Sequence, residues 1–275
     1  MRKILVAFDG THFSAGALEF ARRLNEKNPI LLTGAFMPLT EYADLWSYTG
    51  GGKAGDVFIP LVEDEVAESV KQNIEQFEGY CTRNGIEYRV HKDFLDFAVP
   101  ELEEESRFAD LLIVSSETFY ENLGVAGLND YLKEALHGVE CPVIVVPERF
   151  DFPASNILAY DGSESSVYAI KQFSYLLPEL TGNRTSLVYV QKKGDEQFPD
   201  ESNIEELAAR HFSNLDLFKF ESNAQKSFTE WLQGEKGGIV VTGAFGRSEL
   251  SRWLHQSFVA EVIREHRLPV FVAHK

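Results

Sequence analysis

The chain contains an internal repeat, and this repeat restricts the possible folds more than any other feature. The segment LVAFDG at 5–10 recurs without gaps as ILAYDG at 157–162, and Ser14 then aligns with Ser166. Near the end of each copy, CPVIVV at 141–146 aligns with LPVFVA at 268–273. We therefore expect two copies of one folding unit. A first domain would cover 1–150, with an insertion at about 38–60, and a second would cover 151–275.

Within each copy, short apolar runs alternate with amphipathic segments. Continuous apolar runs of this length are typical of strands that are buried on both faces of a parallel sheet. Apolar residues repeat every three to four positions in segments such as 61–83, which indicates helices. Alternating strands and helices form right-handed βαβ units. The predicted fold class is therefore α/β, with two tandem open parallel five-stranded sheets and helices on both faces.

The expected strands and helices can be placed along the sequence. Strands are predicted at 3–8, 30–37, 87–94, 110–115, 141–146, 156–161, 185–190, 215–220, 239–242 and 269–273. Helices are predicted at 11–25, 61–83, 99–108, 130–137, 164–177, 201–211, 224–233 and 257–266.

Composition and charge exclude several classes of function. The 275 residues, of which 44% are hydrophobic and 25% charged, are typical of a globular protein with two domains. The first apolar run, 4–8, ends at Asp9 and is too short for a signal peptide, and no apolar run is long enough for a membrane span. A cytoplasmic protein is therefore expected. The net charge of −17 disfavours nucleic-acid and membrane partners.

Common catalytic and metal-binding patterns are missing from the sequence. Cys81 and Cys141 lack metal-ligand spacing and are interpreted as buried thiols. The seven histidines are scattered, and none forms an HExxH pair. The glycines at 50–52 precede Lys53 and Ala54, which does not complete a P-loop. No Gly-x-Ser-x-Gly elbow occurs. We expect neither a metal site nor catalytic residues.

A glycine-containing loop near the C-terminus is the first candidate binding element. The apolar run 239–242 leads into Gly243 and Gly246, and nine residues later Gln256 and Ser257 precede a helical pattern. Glycines let backbone amides approach a ligand closely, and a serine at a helix start adds a hydroxyl beside unpaired N–H groups that suit a phosphate. The alternative is a plain strand-to-helix connection whose glycines serve tight turns.

The second candidate is the aspartate that follows the first strand of each copy, Asp9 and Asp161. A carboxylate just beyond this strand lies where ligands bind in open parallel sheets, and it could hold a ribose hydroxyl or an adenine amine. The alternative is a turn aspartate that accepts hydrogen bonds from nearby amides.

Together these features resemble the tandem form of the universal stress protein family. The resemblance depends on the repeat, the two Asp-Gly turns and the spacing of Gly243, Gly246 and Ser257, and it covers nearly the whole chain. It implies a Rossmann-like sheet of the adenine nucleotide alpha hydrolase-like type. It also implies that the second domain holds ATP or another adenine nucleotide. The implied binding residues are Asp161, Gly162, Ser163, Val190, Thr242, Gly243, Gly246, Gln256, Ser257 and Phe258.

Gln256 departs from the family pattern, which has a glycine at this position. The glutamine side chain adds bulk and loses easy access to positive φ, which would exclude the triphosphate. Its amide could equally donate a hydrogen bond to a phosphate. Both outcomes remain open at the level of the sequence.

The first domain lacks the glycines of this loop. In the gap-free alignment, Ser116 replaces Gly243, Phe119 replaces Gly246, Asn129 replaces Gln256 and Asp130 replaces Ser257. A carboxylate at the helix start would cap the backbone amides and repel a phosphate. We therefore predict that the first domain does not bind ATP in the manner of the family.

The function expected from these features is a stress-response binding or signalling module that is not an enzyme. One alternative is a ligand-free scaffold or interaction protein, and a less favoured one is a slow ATPase. The resemblance also implies that the apolar final strands of the two domains pair within one chain as a pseudo-dimer. Two chains could pair further as a homodimer, and the sequence does not identify the protein partner.

Overall fold

The computed structural model describes residues 1–38, 64–92, 98–119, 130–190, 199–220, 231–232, 234–243, 262–265 and 267–274. Of residues 64–67, 98, 130 and 190 it describes the backbone only. The predicted insertion at 38–60 lies almost entirely outside these ranges.

In the described ranges, ten strands form one continuous sheet, which unites the two copies. In chain order they are β1 Arg2–Phe8, β2 Ile30–Phe36, β3 Glu87–Lys92, β4 Leu111–Ser115, β5 Val143–Val146, β6 Ser155–Tyr160, β7 Arg184–Val190, β8 Leu215–Phe220, β9 Gly238–Gly243 and β10 Val270–Ala273. Their order across the sheet is β3-β2-β1-β4-β5-β10-β9-β6-β7-β8. Each half thus has the same order, and the α/β fold class is confirmed.

All neighbouring strands are parallel within each half, and the two halves meet through an antiparallel pair. β5 and β10 pair with Val145 beside Val270 and Val143 beside Val272. The strands that end the two copies therefore cover one edge of each half with the corresponding edge of the other. Among the described strands, β3 and β8 lie at the two ends of the sheet.

The described helices are α1 Ala15–Lys27, α2 Asp64–Arg83, α3 Ala98–Ser106, α4 Asp130–Gly138, α5 Glu164–Leu176 and α6 Glu201–His211. They cover both faces of the sheet. Ile4, Val6 and Phe8 of β1 belong to one apolar cluster with residues of α1, α2, α5 and α6. The alternating Leu5 and Ala7 belong to a second cluster with residues of α3 and α4. Because both faces of β1 are buried from Ile4 to Phe8, this part of the strand is apolar without interruption.

The start of α1 differs from the prediction. The sequence suggested a helix from residue 11, but α1 begins at Ala15 with Ser14 as its N-cap. Asp9 Oδ1 accepts the backbone N–H groups of Thr11 and His12, at 2.9 and 2.7 Å, and so holds these residues in a turn. The corresponding α5 begins at the predicted residue, Glu164, with Ser163 as its N-cap.

The helices predicted at 224–233 and 257–266 lie largely outside the described ranges. Of these two segments, residues 231–232, 234 and 262–264 are described as helical. Among the helices in the described ranges, none has both the length and the apolar character needed to cross a bilayer.

Candidate binding site at the β6–β9 crevice

The strand order creates a crevice at the carboxyl ends of β6 and β9. From β6 the chain proceeds to β7 on one side and later to β9 on the other, so the connections diverge between β6 and β9. Open parallel sheets bind their ligands at such a switch point. The predicted site residues Asp161–Ser163 follow β6, and Thr242 and Gly243 end β9. The fold therefore brings these two groups of residues to one edge on adjacent strands.

Asp161 organises the turn from β6 into α5. Its Oδ1 accepts the Ser163 backbone N–H at 3.0 Å and the Ser163 hydroxyl at 2.5 Å. Ser163 Oγ in turn accepts the Ser166 N–H at 3.2 Å and caps α5. Gly162 has a φ of +81°, which favours glycine. Asp161 is therefore a turn aspartate, which is the alternative given for it above. It directly follows β6 and so lies at the carboxyl end of this strand.

Gly243 lies against the first turn of α5. A Cβ at this position would lie 2.4 Å from the carbonyl carbon of Ser165 and 2.5 Å from the nitrogen of Ser166. Only glycine therefore allows the end of β9 to approach the helix so closely. From the sequence, the alternative to ligand binding was that Gly243 serves a tight turn. In the structure, the contact that requires a glycine is the one with the first turn of α5.

The remaining predicted site residues are described only in part. Val190 ends β7, on the opposite side of β6 from β9, and only its backbone is described. Gly246, Gln256, Ser257 and Phe258 lie outside the described residues, so their predicted roles stay predictions.

In the first half, the equivalent aspartate is paired with a histidine. Asp9, which is 4% exposed, accepts the Thr11 hydroxyl at 3.1 Å, and its Oδ2 lies 2.7 Å from His12 Nδ1. This Asp–His contact was not anticipated, although the two residues are three apart in the sequence. Its counterpart in the second half is Glu164, so the contact is not repeated.

A second carboxylate, Glu148, fills the space in the first half between the end of β4 and the start of α1. Glu148 Oε1 accepts the hydroxyls of Ser14 at 2.5 Å, Ser115 at 2.8 Å and Thr118 at 3.4 Å. Its Oε2 accepts the Gly16 backbone N–H at 3.0 Å. Glu148 was not among the residues predicted from the sequence. Its position two residues after β5, at the carboxyl end of the first-half strands, was a usable signal, because the predicted ligand site lies at the corresponding end of the second-half strands.

Of the four first-half residues that align with the loop residues of the second half, two are described with their side chains. Ser116 donates its backbone N–H to the Val146 carbonyl at 2.9 Å, and Phe119 is 2% exposed within the apolar core. Asp130 is the first residue of α4, but its side chain is outside the described atoms. Asn129 is outside the described residues as well.

The two cysteines are free and buried, as predicted. Burial raises the pKa of each thiol, Cys81 and Cys141, to about 12, so neither is reactive at neutral pH. In the described part of the chain, no three His, Cys, Asp or Glu side chains lie together as a metal site would require.

Comparison by sequence finds no match to a protein-family model or to a curated protein. Comparison by structure finds a universal stress protein from Archaeoglobus fulgidus DSM 4304. Its TM-score is 0.71 at 16% sequence identity, and the alignment covers 100% of this chain and 96% of that one. The chain has the universal stress protein fold. At this level of identity, the similarity establishes the architecture of the sheet and helices.

Two further structures are similar to this chain over its whole length. A protein of unknown function from Pseudomonas aeruginosa PAO1 has a TM-score of 0.56 at 14% identity, with 92% of its length covered. A protein from P. aeruginosa UCBPP-PA14, described as a universal stress protein, has a TM-score of 0.55 at 15% identity, with 93% covered. Both alignments cover 100% of this chain.

Proposed function

We propose that this chain is a nucleotide-responsive binding module. In this proposal, ATP or another adenine nucleotide binds the second half in the β6–β9 crevice. Binding would order the loop that follows Gly243 and alter a surface that a protein partner recognises. The module acts by binding and is not an enzyme.

The observation that carries this proposal is the meeting of two strand ends at the switch point. Asp161 and Ser163 stand at one side of the crevice, with the N-terminus of α5, and Thr242 and Gly243 stand at the other. A carboxylate suits the hydroxyls and amine of a nucleoside, and a loop with glycines suits the phosphates. The similarity of the whole chain to a universal stress protein supports the same assignment.

A ligand-free scaffold is the second candidate function. The residue that favours it is Gln256, which replaces the third glycine of the family loop. In this alternative the crevice has lost its ligand, and the paired halves present a fixed surface to a partner or to a second chain.

Equilibrium binding of labelled ATP to the wild type and to Gln256→Gly separates these two functions. The nucleotide-responsive module predicts saturable binding by the wild type that unlabelled ATP displaces. Binding by the variant alone would support the scaffold, because it would show that the Gln256 side chain prevents ATP binding in the wild type.

Slow ATP hydrolysis is the least favoured function. Asp161 would lie at the nucleoside end of the ligand, away from the phosphates, and its Oδ1 already accepts two hydrogen bonds from Ser163. We therefore expect phosphate release from ATP to stay at the level of a buffer control. Release that scales with protein concentration and disappears in Asp161→Ala would instead indicate an enzyme.

A further inference from the structure

Glu148 is held by donors from two separate parts of the first half. Ser14 and Gly16 belong to the start of α1, whereas Ser115 and Thr118 belong to the end of β4 and the turn after it. Three hydroxyls and one backbone amide therefore converge on a single carboxylate. Hydroxyls and amides at a helix N-terminus are also the groups that hold phosphates in proteins.

The backbone is shaped to bring Glu148 to this position. A Cβ at Gly16 would lie 2.3 Å from the Pro147 carbonyl oxygen and 2.7 Å from Glu148 Cα, so only glycine permits the contact. The Glu148 backbone N–H donates to Glu117 Oε2 at 3.2 Å, which fixes the chain at this point.

The segment after Glu148 is fixed along the same helix. The rings of Phe150 and Phe152 lie 5.6 and 5.3 Å from that of Phe20 in α1, measured between centroids. The Arg23 guanidinium lies 5.2 Å above the Phe152 ring. The connection between the halves thus packs along α1, and Glu148 is anchored on both sides rather than placed by its side chain alone.

The second half does not repeat this acidic group. In the alignment that places 141–146 on 268–273, Glu148 corresponds to Lys275. Ser116, which follows the hydrogen-bond donor Ser115, corresponds to Gly243. Because Gly243 has no side chain, β9 contacts α5 directly. The carboxylate is therefore specific to the first half, whereas two of its hydroxyl donors, Ser14 and Ser115, align with Ser166 and Thr242 of the second.

We propose that Glu148 is the built-in anion of the first half. Its carboxylate occupies the space beside α1 that a ligand phosphate would need, and it uses the hydrogen-bond donors that would bind one. The first half is closed by its own chain, whatever the second half binds. This assigns to Glu148 the exclusion that the sequence analysis attributed to Asp130.

The test is anion rescue in the full-length chain. Glu148→Ala removes the carboxylate and leaves both the donors and a space, and Glu148→Gln removes the charge but fills the space. We expect both variants to unfold at a lower temperature than the wild type. Inorganic phosphate should then raise the unfolding midpoint of Glu148→Ala by at least about 2 °C more than that of the wild type, because an anion that binds only the folded state stabilises it.

The control for charge is Glu104→Gln, which removes one negative charge from an exposed position on α3. Sodium chloride at matched ionic strength controls for screening. Phosphate bound to the second half would shift all variants alike and so cancels in the comparison. Equal phosphate shifts in Glu148→Ala and Glu104→Gln would overturn the proposal. If Glu148→Ala does not fold, a Glu148→Gln midpoint equal to that of the wild type would overturn it too.

Discussion

At the scale of single residues, one glycine in each half allows two backbone segments to approach closely. Gly16 admits the chain that carries Glu148, and Gly243 admits the first turn of α5. In both cases the glycine makes room for backbone, which cannot move aside as a flexible side chain could. A substitution at either position should therefore be costly even though alanine is small.

The substitution Gly243→Ala tests this at the candidate site. The added Cβ would lie 2.4 Å from the Ser165 carbonyl carbon, so β9 and α5 must separate. We expect the free energy of unfolding in urea to fall by about 1–3 kcal/mol, as for other overpacked positions. Gly182→Ala is the control, because a Cβ at Gly182 meets nothing within 4 Å. Equal stability of Gly243→Ala and the control would contradict this packing role.

At the scale of elements, α1 and α2 are joined by a small polar network. Tyr80 of α2 donates its hydroxyl to Glu19 Oε2 of α1 at 3.0 Å, and Arg22 donates to both oxygens of Glu19 at 2.6 and 2.7 Å. The Arg22 hydrogen bonds lower the pKa of Glu19. Burial, followed by the hydrogen bond to Glu19, raises the pKa of Tyr80 to about 12.

Tyr80→Phe should reveal the sign of this pKa shift. Because the pKa of Tyr80 is raised in the folded state, its contribution to stability is complete below its usual value of 10.0 and is lost as the pH rises towards 12. At pH 7 we expect the variant to be less stable by about 1 kcal/mol, the net value of one hydrogen bond.

Urea unfolding at pH 7, 10 and 11 measures the difference between the wild type and Tyr80→Phe. The stability advantage of the wild type should shrink at the two higher pH values, because only the wild type has this phenol to ionise on unfolding. Cys81 titrates in the same range but is present in both proteins, so its effect cancels. A difference that does not change with pH would show that Tyr80 ionises equally well in the folded protein.

The strands were largely predictable from the sequence, whereas the polar ends of the elements were not. Continuous apolar runs are typical of strands with two buried faces, and the ten predicted strands agree with the observed ones within about two residues. The start of α1 was placed too early, because the Asp9 side chain competes for the amides of Thr11 and His12. Glu148 was missed because its partners Ser14 and Ser115 are distant in sequence and meet only in the folded chain.

At the scale of the whole molecule, a partly buried ion pair supplements the sheet in joining the two halves. Arg2 at the start of β1 lies 2.8 Å from Glu179, which follows α5, and the two side chains are 16% and 5% exposed. Arg2 also donates to the Leu176 carbonyl, and Asn28 donates to Glu179 Oε2 at 3.3 Å. The first half thus holds the C-terminal end of α5 as well as the β10 strand.

Glu179→Ala should weaken this connection. The variant leaves the Arg2 charge partly buried without its carboxylate, and removal of one member of such a pair costs about 3 kcal/mol. Glu140→Ala provides the matched control, because Glu140 pairs with Arg107 at 3.7 Å on the surface, where both side chains are about half exposed. We expect the control to lose less than about 1 kcal/mol in thermal or urea unfolding. Similar losses in both variants would show that the pair contributes nothing specific to the joint.

The two halves share one strand order but differ at the edge where ligands bind. Asp161 and Gly243 leave the crevice of the second half lined by a turn and a close strand–helix contact, whereas Glu148 fills the first half with the chain's own carboxylate. In the proposed function, one copy of the duplicated fold binds a ligand and the other copy does not. This asymmetry predicts one nucleotide site per chain, in the second half.

The most direct test of this prediction is the stoichiometry of ATP binding. It can be measured by isothermal titration calorimetry on the wild-type chain and on the matched variants Asp161→Ala and Asp9→Ala. We expect one nucleotide per chain. Asp161→Ala should weaken the affinity about tenfold or more, through loss of a hydrogen bond to a charged group, and Asp9→Ala should leave it unchanged. A single site in the second half would be contradicted by two nucleotides per chain or by none. It would also be contradicted by an affinity that depends on Asp9 and not on Asp161.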